Sequence, residues 1–125
     1  VVMKLHNKWK GPFFRNIASP AFLTDPVVMD GVFQACGFIE FMVGNESILP
    51  YRISSATFYR HVETHGEYYC VATQVGRNDE EKTRVFNADL CDSDGNVFVR
   101  IEGFQMIAVA KVNPEDSVSN KFRMV

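Results

Sequence analysis

No charge of one sign dominates this chain: 13 lysines and arginines stand against 15 aspartates and glutamates, for a formal charge of −2. Nucleic acid and anionic lipid therefore have no large basic field to meet, and no nucleic-acid partner is expected. Cysteine is scarce and odd in number. Cys36, Cys70 and Cys91 are widely spaced and form no C-x-x-C pair, which removes the usual zinc and redox motifs and leaves free thiols in a reducing, cytoplasmic setting as the expectation. A long unbroken apolar run is also missing. The most apolar stretch, Val27 to Val43, contains Asp30, Gln34 and Glu40, so no membrane span is expected. The opening residues do not read as a signal peptide, and neither internal repeats nor low-complexity segments occur.

What is present is core material. Hydrophobic residues make up 46% of 125 positions, with 11 phenylalanines and only 22% charged residues, a composition that folds as one domain. The polar run Asn113-Pro-Glu-Asp-Ser-Val-Ser-Asn120 reads as tail or linker. We expect a single domain over 1–111 and a polar C-terminal tail over 112–125, with the first few residues also serving as linker. The whole is expected to be a piece of a longer protein.

Thr24-Asp25-Pro26 is the sharpest local signal. Asp25 suits an N-cap, and Pro26 suits the first helical position, whose N–H has no helical partner in any case. The spacing predicts a helix from there to the stop at Gly44-Asn45, apolar on nearly its whole circumference and hence expected to be enclosed on most sides. The rest reads as strands near 51–62, 67–76, 83–91 and 96–110, rich in β-formers. A first hairpin is expected to join the segments around Ile53 to Tyr59 and Tyr68 to Val75, turning at His65-Gly66. A second turns at Asp94-Gly95. Along the last strand, Val97, Val99, Ile101, Gly103, Gln105, Ile107 and Val109 are expected to share the buried face. Segment 9–14, Trp9 to Phe14, reads as loop or short strand with a turn at Gly11-Pro12. One buried helix followed by about four antiparallel strands is α+β, a curved sheet wrapped around a helix: the hotdog arrangement.

Asp30 lies too far inside the helix to cap it and has Met29, Gly31, Val32 and Phe33 around it. Desolvation penalises a charged carboxylate, so such an Asp is expected to hold its proton near neutral pH, as a general acid requires. Gln34, at i+4, shares its helical face and can hydrogen-bond the carboxyl. His61 and His65 have the spacing of a zinc helix, but Val62 stands where the Glu of His-Glu-x-x-His belongs and the segment reads as strand end and turn, so no metal site is expected. Cys36 reads as a small buried hydrophobe rather than a nucleophile. Phe13, Phe14, Phe22, Phe33, Phe38 and Phe41 read mostly as core, with Phe33, one turn from Asp30, as a wall of the site.

Asp25-Pro-Val-Val-Met-Asp30-Gly-Val-Phe-Gln34-Ala resembles the helix motif in the C-terminal half of polyketide synthase dehydratase domains, where an Asp is followed four residues later by Gln or His. Gly11-Pro12-Phe13-Phe14-Arg15 resembles the Gly-Pro segment before that helix, Leu49-Pro50-Tyr51-Arg52-Ile53 the strand after it, and Gly95 to Phe104 the last long strand. The resemblance spans about residues 9–110. It implies a double hotdog that dehydrates a 3-hydroxyacyl thioester borne on the phosphopantetheine of an acyl carrier protein, with no further cofactor, as in polyketide or fatty-acid-type megasynthases. Asp30 would be the acid and Gln34 its orienting partner, while Phe33, Pro12 and Phe13 would contact substrate. The His-x-x-x-Gly-x-x-x-x-Pro motif of the first half is absent, so the base would come from a missing N-terminal half, or its place be taken by a second copy. Lys10 replaces the Tyr often found before Gly-Pro. A noncatalytic hotdog half with a structural or assembly role, or a hotdog acyl thioesterase, is the alternative.

Overall fold

The computed structural model describes residues 1–8, 22 and 24–111. Its elements are β1 (Val2–His6), α1 (Pro26–Gly44), β2 (Glu46–Phe58), β3 (Glu67–Asn78), β4 (Thr83–Cys91) and β5 (Val97–Lys111). The strands form one antiparallel sheet in the order β1-β3-β4-β5-β2, and α1 lies against one face of it. The expected α+β hotdog architecture is what the chain adopts.

The start of α1 is set by local chemistry. The Asp25 carboxylate accepts hydrogen bonds from the Val27 and Val28 amides at 2.8 and 3.0 Å, satisfying two donors that have no partner within the helix. Asn7 donates to the other Asp25 oxygen at 3.1 Å, tying the chain after β1 to the same cap. The helix ends at Asn45 in the left-handed region, with φ of 51°.

The β4–β5 hairpin turns at Asp94-Gly95 as expected. Gly95 has φ of 84°, and the Asp92 carboxylate receives the amides of Asp94 and Asn96 at 3.0 and 2.9 Å.

Four expectations need correction. The first hairpin does not form: β2 pairs with β5 and occupies the far edge of the sheet from β3's partner β1. The turn before Gly66 exists, but the 59–66 connection passes the helix start, where Asp25 donates its amide to the Val62 carbonyl at 3.2 Å. The opening residues are not linker, because Val2–His6 pairs with β3 from Val2 opposite Val71 to His6 opposite Glu67. The face of β5 also changes part-way. Val99 and Ile101 are buried, but beyond Gly103 the buried residues are Phe104, Met106 and Ala108. Gly103, at φ of 62°, sits in a bulge where the register against β4 shifts between Phe86 and Ala88. One extra residue exchanges the faces of everything after it.

Finally, α1 is not enclosed on most sides. Val28, Val32, Ala35, Cys36 and Ile39 pack on the sheet with Phe86, Leu90, Ile101 and Phe104, whereas Val27, Asp30, Gln34, Phe38, Met42 and Val43 are exposed. The helix is long and apolar enough by composition to cross a membrane. Its packed face is that of a core helix. Segment 9–14, the Gly11-Pro12 turn and the 112–125 tail lie outside the described residues.

Candidate active site

Helical spacing carries Asp30 and Gln34 to the uncovered face of α1, where the Gln34 amide donates to the Asp30 carboxylate at 2.5 Å. The expected pair is therefore formed. Its expected apolar enclosure is not: both side chains are exposed in this chain, so the burial on which the protonated-acid expectation rests is not provided by this chain alone. The opposite side of the same helical turn is close-packed. A Cβ at Gly31 would meet the Leu5 side chain at 3.1 Å, so glycine beside Asp30 allows β1 to approach the helix.

The exposed stripe containing the pair is apolar at both ends, with Val27 before Asp30 and Phe38 and Met42 after Gln34. Phe38 stacks on Phe41 with ring centroids 6.4 Å apart. Phe33, between the two polar residues in sequence, turns partly inward against Phe104, centroid to centroid 4.9 Å. These two rings, with Pro50, Tyr51, Arg52 and Ile53 of β2, line a recess of about 290 Å³. Phe33 is thus a wall of this recess, whose lining includes neither Asp30 nor Gln34. Pro12 and Phe13 lie outside the described residues.

Other chemistry-bearing groups take up structural positions. Among the described residues, no three His, Cys, Asp or Glu side chains gather as metal ligands. His65 Nδ1 lies 3.4 Å from the Asn7 carbonyl oxygen. Burial first, then the neighbouring Cys70, pushes the Cys36 thiol up to about 12. Burial likewise pushes Cys70 up to about 12. A thiol held protonated in this way is a poor nucleophile.

One ionic cluster escaped the reading of the sequence. Arg84 of β4, 2% exposed, donates from Nε to Glu40 Oε1 at 3.0 Å and from Nη2 to Glu46 Oε2 at 2.7 Å. Glu40, on α1, is 1% exposed. Arg77 adds a bond to Glu40 at 3.1 Å, and Asp79 lies 3.2 Å from Arg84. Burial works against charge on Arg84, but the hydrogen bonds it donates to Glu40 and Glu46, with the charges of those carboxylates, raise its pKa. Burial is the largest single influence on Glu46 and opposes its charge, but the hydrogen bonds with Arg84 and Glu40 and the charges of Arg84 and Arg77 together outweigh it, so the Glu46 carboxyl sits below its ordinary value. The signal was available in sequence as a Glu inside the apolar helix and an Arg inside the apolar alternation of β4. Nothing local connects the two.

Comparison with known proteins agrees with this architecture. The family model described as polyketide synthase dehydratase N-terminal domain matches residues 10–116. That description names the N-terminal domain, whereas the motifs quoted above resemble the C-terminal half. No curated protein sequence matches the chain. Among solved structures, a trans-acyltransferase polyketide synthase enoyl-isomerase superposes with a TM-score of 0.62 at 14% identity, over 84% of this chain and 39% of that one. The dehydratase domain of PpsC from Mycobacterium tuberculosis, solved in complex with C12:1-CoA, superposes with a TM-score of 0.55 at 20% identity, over 69% of this chain and 32% of that one. Identities this low speak to the fold, and the chain spans well under half of either structure. With the family model covering most of its length, the chain belongs to the polyketide synthase dehydratase family.

Proposed function

We propose that this chain is the acid-bearing, C-terminal hotdog half of a domain that dehydrates a 3-hydroxyacyl thioester, carried on the phosphopantetheine of an acyl carrier protein, to the enoyl thioester. The observation that carries this reading is the hydrogen-bonded Asp30–Gln34 pair, set on an uncovered helix face next in sequence to Phe33, which lines an aromatic recess. A catalytic pair on an open apolar stripe suits a site completed by a second unit.

In the reaction, a His of the partnering half removes the Cα proton and the electron pair forms the Cα–Cβ double bond. The Cβ–O bond breaks, and the hydroxyl leaves as water with the proton from Asp30. Gln34 holds the carboxyl toward the leaving group, while Phe33 and Phe104 flank the acyl chain. Covering by the second half supplies the desolvation that keeps a carboxylic acid protonated. The elimination is redox-neutral and needs no cofactor beyond the carrier's arm. The partner is an N-terminal hotdog half or, for the isolated chain, a second copy. The setting is the cytoplasm.

The exposure of Asp30 also favours a second reading, a noncatalytic half retained for assembly. Turnover of a 3-hydroxyacyl carrier-protein thioester by the two-half protein, with and without Asp30→Asn, separates the two. A folded variant that loses turnover supports the acid, and one that keeps it supports the structural role.

A further inference from the structure

We propose that the Glu40–Arg84–Glu46 triad is a positioning device for the candidate site: it clamps the corner between α1 and β2 and so sets the width of the recess between Phe33 and Pro50–Ile53. Its effect on substrate rests on the reading of that recess given above, but the clamp itself does not.

The two carboxylates lie on either side of the Gly44-Asn45 turn, one in the last turns of α1 and one at the first residue of β2. Both converge on a single guanidinium. Arg84 is in turn fixed to the centre of the sheet, since Nη1 donates to its neighbour's carbonyl, that of Thr83, at 2.9 Å. The turn is built to admit this geometry. A Cβ at Gly44 would come within 2.6 Å of Glu40 Oε1, so the last helical residue must be small for the carboxylate to fold back. A carboxylate near a helix C-terminus also faces the negative end of the helix dipole, and this makes the Arg84 counter-charge necessary.

Beyond the corner, β2 also packs against the helix and pairs with β5 along most of its length. Ile48 packs against the core, but from Leu49 to Phe58 the strand is exposed. Its ladder to β5 shifts register between Ser47 and Ile48 and again between Pro50 and Arg52. Phe33 and Glu40 share one helix, and Glu46 and Pro50 share one strand, so tying Glu40 to Glu46 adds to the pairing of Ile53 with Phe104 in setting the two walls of the recess. Apolar side chains of similar volume commonly match or exceed the stability of a buried ionic triad. They do not supply directional bonds.

The test uses spin labels at Phe38→Cys on α1 and Thr57→Cys on β2, in a Cys91→Ser background, with the interlabel distance distribution measured by pulsed electron resonance. The apolar variant Glu40→Leu/Arg84→Met/Glu46→Leu should keep a cooperative melt and broaden the distribution. Arg84→Lys, which loses the fork that serves both carboxylates, should broaden it as well. A folded apolar variant with the original distribution overturns the proposal. If that variant does not fold, an unchanged distribution in folded Arg84→Lys overturns it equally. In the two-half protein the apolar variant should raise KM for a long-chain acyl thioester by about tenfold with a smaller change in kcat, because a recess wall remote from the reacting atoms binds ground and transition states alike. Unchanged KM beside a broadened distribution overturns the link to the recess. Absence of turnover in the unsubstituted protein refutes the dehydratase reading, and the distances still decide the clamp.

Discussion

The Asn87 side-chain oxygen accepts the Gly103 amide at 3.0 Å, pinning the bulge at which β5 exchanges its buried and exposed faces. Gly103 has a positive φ, and a Cβ there would meet Ser54 Oγ at 2.5 Å. Gly103→Ala should therefore destabilise the fold by about 1–2 kcal/mol for the left-handed backbone alone. Asn87→Ala should cost about 1 kcal/mol for the lost hydrogen bond. Urea denaturation checks both, and an unshifted midpoint in Gly103→Ala would contradict the bulge.

Stability should fall in acid partly through Glu46. Its folded-state pKa lies below the ordinary value of 4.5, because the hydrogen bonds with Arg84 and Glu40 and the charges of Arg84 and Arg77 together outweigh burial. A depressed carboxyl contributes fully above its unfolded pKa and loses that contribution as pH falls through the folded value. Denaturation midpoints should hold near neutrality and drop progressively below about pH 4.5. Glu46→Gln should be less stable at pH 7 and show a shallower decline. An equal slope in the variant would remove Glu46 from the account.

Much of this fold is legible in the sequence where the cause is local. Asp25 and Pro26 announce the helix because cap and first-turn chemistry need only neighbours, and Asp94-Gly95 announces its hairpin for the same reason. Pairing between distant segments is not local. β2 finds β5 rather than the strand that follows it, and Val2–His6 joins the sheet through a partner about seventy residues away. The alternation on β5 misleads because a single positive-φ glycine reverses it. For the site, the Asp30–Gln34 bond follows from i+4 spacing, but a helix apolar on every side cannot reveal which side the sheet will take. The exposure of Asp30 was hidden for that reason. Arg84 and Glu40 were each visible as polar residues in apolar runs, and only the folded sheet brings them together.

The isolated chain should self-associate. It exposes Val27, Phe38, Met42 and Val43 on α1, together with Leu49, Tyr51 and Ile53 on the edge strand β2. An uncovered apolar stripe and an unpaired edge both invite a second chain, and a two-fold dimer is the closed solution. Sedimentation velocity or light scattering over a concentration series should show a dimer that weakens on Phe38→Glu. A strictly monomeric species throughout would contradict the idea that this face awaits a partner.

The most direct test of the central claim is turnover of a 3-hydroxyacyl carrier-protein thioester by the two-half protein carrying Asp30→Asn. The amide keeps the shape of the side chain and loses the transferable proton. General acids typically contribute about 10²–10⁴-fold, so turnover should fall by about that factor while the thermal melt is unchanged. Gln34→Ala should cost less, since it misorients the acid without deleting it. Near-normal turnover in a correctly folded Asp30→Asn protein would contradict the assignment of Asp30 as the acid.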